Sequence, residues 1–313
     1  MFDAMTTQIL DEWNRTMTRS LKSTLQWAVL MGELMDQTAR SQWNNLGLFF
    51  LANTRQIHQV LEMFIPHDPD NKLAPRIVLV TGGTRGSGRT ICKELACYGN
   101  KVAATYLPDE GTAARRWQSD IRSQGYDVAI VECDPADFDS CAQMMEEIHS
   151  RLGAVDILIN CAALAQDNPP KHKDYCQVLD AQLDSFFNVA KNVIDDMAQR
   201  HYGRIIHISS PDIPMDPPVR TSLSITKAGV LGFTKSLARE LADQGITVNT
   251  ISQSPSPAGP TMTIPEEWYI DVIGKHPLNR SAKPNEIVQA VIFLTAEENG
   301  SITGADIPVH VAF

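Results

Sequence analysis

The stretch Ile77-Val78-Leu79-Val80-Thr81-Gly82-Gly83-Thr84-Arg85-Gly86-Ser87-Gly88 constrains this chain more than any other. A β-branched run enters a glycine-rich turn, and the residues after the turn open a helical pattern. Glycines at that junction let the backbone turn tightly and approach a pyrophosphate. The helix N-terminus then offers N–H groups and the positive end of its dipole to the phosphates. Glycines alone are a weak signal, because loops collect them. Here the strand before and the helix after supply the context a dinucleotide-binding turn requires. A purely structural glycine turn accounts for the glycines but does not call for that context.

From Arg76 onward, strand-like and helix-like runs alternate. Strands are expected at Ile77 to Val80, Lys101 to Tyr106, Val128 to Cys133, Val155 to Asn160, Arg204 to Ser209 and Thr247 to Ser252. Helices are expected between them, among them Asp137 to Arg151 and Thr226 to Asp243. Alternation of this kind predicts β-α-β units and an α/β fold, a Rossmann-like doubly wound parallel sheet over residues 76–313.

Residues 1–65 have a different texture, with no proline and only Gly32 and Gly47. Leu10, Trp13, Met17, Leu21, Leu25, Ala28, Met31 and Met35 recur at helical spacing, and Trp43, Leu46, Phe50, Ile57, Leu61 and Phe64 continue it. This predicts an amphipathic helical extension whose apolar stripe needs a partner surface. Pro66-His67-Asp68-Pro69-Asp70-Asn71 breaks the pattern, so residues 66–75 read as a linker.

The net charge of −10 argues against a nucleic-acid binder, which needs a basic footprint. Six scattered cysteines without a CxxC pair read as reduced thiols of a cytoplasmic protein. Asp3, Asp11 and Glu12 stand where a secretory signal is basic. The longest apolar run, Leu46 to Ala52, is too short to cross a bilayer, so no transmembrane span is expected. His172, His276 and His310 are isolated, and no metal-ligand spacing is visible.

The T-G-x-x-x-G-x-G form of the turn resembles the short-chain dehydrogenase/reductase family. The resemblance covers nearly all of residues 76–313. Gly203-Arg204-Ile205-Ile206-His207-Ile208-Ser209-Ser210 is similar to the family's serine-bearing strand. Lys227-Ala228-Gly229 and Gly232 to Ala238 are similar to the helix with the active-site lysine. Gly245-Ile246-Thr247-Val248-Asn249 is similar to the next strand. Within the family the chain resembles acetoacetyl-CoA reductases and 3-oxoacyl carrier-protein reductases, and Phe187 to Met197 looks especially like the former.

The resemblance implies cofactor-binding roles for Thr81, Gly82, Gly83, Arg85, Gly86, Ser87, Gly88, Asn160 and Lys227. It also implies an adenine contact for Asp134, for which a turn aspartate before Pro135 is an equal reading. NAD binders place an acid near the end of the second strand. Thr105-Tyr106-Leu107 stands there instead, and Arg85 resembles the cations that pair a 2′-phosphate. NADP(H) is therefore expected over NAD(H). Arg115 and Arg116 read better as a solvated helix face. A homodimer or homotetramer is implied, paired through helices near 183–200 and 221–243. Phe186 and Phe187 suit that interface or the core.

The family reduces a carbonyl with a tyrosine proton donor, a lysine four residues later, a polarising serine and a relay asparagine. Ser210 and Lys227 stand at the serine and lysine positions, but Leu223 stands at the tyrosine position and Gln182 at the asparagine position. Leucine has no proton to give. The family's N-N-A-G appears as Asn160-Cys161-Ala162-Ala163, its proline-glycine after the sixth strand as Gln253-Ser254, and its terminal glycine pair is gone. Ser87 replaces an aliphatic residue. His207 has a usable pKa in principle but points away from Ser210 by strand alternation. Asp212 sits in a proline-bounded loop.

These departures imply a divergent homologue, a pseudoenzyme candidate with weak or lost ketoreductase activity. The alternative is an active NADPH-dependent reductase of acyl-CoA or acyl-carrier-protein thioesters with a substitute proton donor. The N-terminal helices are expected to cover the body as a hairpin or, less favoured, to bind a protein or polymer-granule surface.

Overall fold

The computed structural model describes residues 75–161, 172–209, 221–253 and 280–309, with the backbone alone for 172–182 and 221–224. The helical extension, Ser210, Ala162, Ala163, Asp212, Ser254, His276 and His310 lie outside the described residues.

Seven parallel strands form one sheet: β1 (Ile77–Thr81), β2 (Lys101–Tyr106), β3 (Val128–Glu132), β4 (Ile157–Asn160), β5 (Gly203–Ser209), β6 (Ile246–Gln253) and β7 (Asp306–Val309). Their order is β3-β2-β1-β4-β5-β6-β7. Among the described residues the helices are α1 (Gly86–Cys97), α2 (Gly111–Ser123), α3 (Phe138–Arg151), α4 (His172–Arg200), α5 (Thr221–Leu241) and α6 (Pro284–Thr295). Short 3-10 turns cover Pro108–Glu110 and Ala242–Gln244. This is the doubly wound α/β fold expected from the alternation of runs.

The central strands read as unbroken apolar runs because both their faces are covered. One face packs Leu79, Leu158, Ile205 and Val248 against Met144 of α3, Val189 and Val193 of α4 and Leu237 of α5. The other packs Val80, Ile159, Ile206 and Ile251 against Ile91 of α1, Trp117 of α2 and Val288 of α6. Side-chain alternation along β5 puts Ile205 and His207 toward α4 and α5, and Ile206 and Ile208 toward the other layer.

Strand order reverses between β2-β1 and β4-β5, so β1 and β4 flank a topological switch point. Register sets Thr81 beside Asn160, and Asn160 beside His207. Ligands of such sheets bind outside the carboxyl ends of the strands at this crevice.

The expected strands form, with boundaries moved by one or two residues. Asp137, expected as the first residue of a helix, instead caps α3: its side chain accepts a hydrogen bond from the Asp139 N–H at 2.9 Å. The short edge strand β7 was not among the expected strands. It is four residues long, contains Pro308 and alternates exposed with half-buried positions. Among the described residues, no helix is long and apolar enough to cross a membrane.

Candidate dinucleotide-binding site

The turn after β1 is built on positive φ angles, 60° at Gly82 and 51° at Gly86, which glycine adopts without a Cβ penalty. The Gly82 N–H donates to Thr105 Oγ1 at 3.0 Å, tying the turn to β2. Thr81 Oγ1 donates to Asn160 Oδ1 at 2.8 Å and accepts the Cys161 N–H at 3.0 Å. The Asn160 amide also donates to the Phe186 carbonyl at 3.3 Å. One buried threonine and one buried asparagine thus lock β1, β4 and α4 together at the crevice.

Gly83 and Gly88 are needed for close approach. A Cβ on Gly88 would sit 2.5 Å from the Gly82 carbonyl oxygen, and one on Gly83 would sit 2.7 Å from Cys92 Sγ. Helix α1 can begin this near the strand only with glycine there. Its N-cap residue, Arg85, makes no side-chain cap hydrogen bond, and a helix start of this kind offers N–H groups and the positive end of its dipole to an anion. The cradle fits a pyrophosphate. Ser87 Oγ lies 3.6 Å from Cys161 Sγ at the base of the turn.

Beside the turn is a cleft lined by Gly82, Arg85, Thr105, Tyr106, Leu107, Glu110, Cys133 and Pro135. The Arg85 guanidinium does not stand free in it. Its Nη1 donates to Glu110 Oε1 at 2.5 Å. Glu110 is four residues beyond β2 and returns to the cleft because the 3-10 turn Pro108–Glu110 folds the chain back. The signal for it was Pro108 followed by two acids and Gly111. Arg115 and Arg116 lie on the exposed face of α2.

Asp134 Oδ1 accepts the Ala136 N–H at 3.0 Å, an Asx turn. Asn188 on α4 donates to the Pro135 and Ala136 carbonyls, each at 3.2 Å, and holds that turn against the sheet.

At the chemistry end, Lys227 is 7% exposed. Burial lowers its pKa to about 8, while nearby Cys161 pulls it upward. Burial raises the Cys161 thiol, against the Ser87 hydrogen bond and the Arg85 and Lys227 charges. Leu223 and Gln182 fall within α5 and α4, where the backbone alone is described. Leu223 precedes Lys227 by one helical turn.

His207 is fully buried, with ring centroids 5.2 Å from Phe186 and 5.5 Å from Phe233. Among the described residues its ring nitrogens have no hydrogen-bond partner, and burial lowers its pKa to about 3. It is a neutral core ring between α4 and α5, not a proton donor at neutral pH. Among the described residues, no group of three or more His, Cys, Asp or Glu side chains is placed to hold a metal ion.

A doubly wound sheet with a glycine cradle at its switch point defines a dinucleotide-binding class of protein. Residues 82–311 match the family model described as enoyl-(acyl carrier protein) reductase. An acetoacetyl-CoA reductase of Allochromatium vinosum is 39% identical over 238 residues, 75% of this chain and 97% of that protein. One from Cupriavidus necator is 36% identical, over 76% of this chain and 98% of the relative. The Escherichia coli 3-oxoacyl-(acyl-carrier-protein) reductase is 33% identical, over 75% of this chain and 96% of the relative. The chain belongs to the short-chain dehydrogenase/reductase family.

Proposed function

We propose that this protein is a divergent 3-oxoacyl thioester reductase homologue that binds a nicotinamide dinucleotide and has weak or no ketoreductase activity. One contrast carries the reading. The phosphate end keeps its cradle, with Gly88 too close to Gly82 for any side chain, while leucine occupies position 223.

Thr81, Gly82, Gly83, Gly86, Ser87 and Gly88 would hold the pyrophosphate, Asn160 the crevice wall, and Asp134 the adenine side. The bound dinucleotide supplies or accepts a hydride. In carbonyl reduction the hydride goes to carbon and a proton must reach the oxygen. In this reading Ser210 and Lys227 flank that oxygen, Gln182 stands in the relay position, and Leu223 donates nothing. Losing a positioned general acid costs roughly 10²–10⁴ in rate. Acyl-CoA or acyl-carrier-protein thioesters are the substrate class, supported by the names of the relatives.

The test is titration of the purified chain with NADH and NADPH, followed by turnover of acetoacetyl-CoA. Binding with little turnover is expected, and Leu223→Tyr should then raise turnover by about 10²-fold. Ordinary turnover by the wild type would overturn the loss of activity, and absence of nucleotide binding would overturn the cofactor reading.

The same reading includes a cytoplasmic homo-oligomer. Support for the compartment comes from Cys92, Cys97, Cys133, Cys141 and Cys161, all free. Residues 1–65 are proposed to bind a protein or polymer-granule surface, on the strength of their apolar stripe. Deleting residues 1–70 should change oligomer mass or granule co-sedimentation, and no change in either would dismiss that role.

A further inference from the structure

We infer that Glu110 is the residue that sets cofactor choice, disfavouring a 2′-phosphate and favouring the 2′-hydroxyl of NAD(H). The inference rests on the dinucleotide-binding reading and deepens it.

The expectation of NADP(H) rested on the missing acid at the end of the second strand and on Arg85, in the glycine turn, as a partner for a 2′-phosphate. The geometry supplies the acid from elsewhere. Glu110 Oε1 is in direct contact with Arg85 Nη1, and both side chains are half-buried, 25% and 22% exposed. Glu110 is also held from its own turn, where Oε2 accepts the Leu107 N–H at 3.4 Å. Both residues line the cleft beside Gly82, together with Thr105 and Tyr106 from β2. The cleft is therefore the ribose side of the crevice, and its charge is one cation cancelled by one anion.

A 2′-phosphate entering here must break the Arg85–Glu110 pair and then lie beside the released carboxylate. Like charges a few ångströms apart near a protein surface repel by several kcal/mol at most, enough to cancel what Arg85 offers. A 2′-hydroxyl meets the opposite situation. It donates a hydrogen bond to the ionised carboxylate, a charge-assisted contact, and leaves the ion pair in place. The usual acid of NAD-binding turns ends the second strand. Here the same chemistry is delivered four residues later by a 3-10 turn.

The experiment compares full-length wild type and Glu110→Gln, which keeps the side-chain volume and removes the charge. Dissociation constants for NADH and NADPH are measured by nucleotide fluorescence, and thermal unfolding confirms that the variant folds. The wild type should bind NADH more tightly than NADPH. The variant should gain at least about tenfold for NADPH while NADH weakens or stays level. A second measurement needs no variant: 5′-ADP should compete with NADH better than 2′,5′-ADP does on the wild type. Tighter binding of NADPH or 2′,5′-ADP by the wild type would overturn the inference. So would a variant that shifts both cofactors equally. If neither dinucleotide nor either ADP binds, the dinucleotide reading itself fails, and the role of Glu110 falls with it.

Discussion

His207 shows what a single buried ring contributes. It lies on a core strand between two phenylalanines, and among the described residues neither of its nitrogens has a hydrogen-bond partner. Its pKa is about 3 in the folded protein against 6.5 for an ordinary histidine. Between those values the unfolded chain binds a proton that the folded chain refuses. Folding stability from this group is therefore fully present above pH 6.5 and is lost as pH falls toward 3. His207→Leu, which cannot titrate, should flatten that acid limb. Urea midpoints measured from neutral pH down to pH 4 should converge with, then exceed, those of the wild type. Parallel curves would mean the ring does not cause the acid sensitivity. The face of β5 that carries His207 was legible, because strand alternation is strictly local, and the ring does lie on the Ile205 side. It did not show the two aromatic neighbours, which arrive from α4 and α5 and depend on how the layers pack.

Elements make the same division visible. The central strands were legible because two covered faces demand continuous apolar residues, and such runs stand out in a sequence. Strand β7 was not, because an edge strand with one proline and alternating exposure carries little pattern. The turn after β1 was legible to the residue, since its spacing is dictated by backbone approach rather than by side chains. Arg85 was found but not its partner. Glu110 reaches it only through the short helical turn at Pro108, and local periodicity does not reveal where such a turn aims a side chain. Gly88→Ala tests the tightest part of this junction. The added Cβ would meet the Gly82 carbonyl oxygen at 2.5 Å. The obstacle is backbone, so a rotamer change cannot relieve it, and α1 must move off the strand. A cost of about 1–3 kcal/mol is expected, the range for forced overpacking. Chemical denaturation should register that loss, together with weakened binding of both nicotinamide dinucleotides. Unchanged stability would show that the α1 start tolerates displacement.

At the scale of the molecule, the face made by α4 and α5 carries exposed apolar side chains that the core does not explain. Phe186 and Phe187 were both readable as interface or core, and they now separate. Phe186 is 3% exposed and packs edge-on against His207, whereas Phe187 is 53% exposed on the same helix. Phe233 on α5 lies 6.2 Å from Phe187, and Ile225, also on α5, is 41% exposed. An exposed aromatic with apolar neighbours on an adjacent helix is a reason for self-association, provided it is part of one patch. In an isologous dimer that patch meets its own copy, so one substitution appears twice in the interface. Phe187→Glu would remove apolar burial worth about 1.5–3 kcal/mol per fully buried ring and add a carboxylate on each side. The combined penalty should raise the dimer dissociation constant by at least about 10²-fold, since each 1.4 kcal/mol is a factor of ten. Analytical ultracentrifugation across a concentration series measures it directly. Because Phe187 is exposed in the single chain, the thermal midpoint of the dilute variant should stay near that of dilute wild type. A variant that keeps the wild-type mass at every concentration would exclude α4 and α5 as the pairing face.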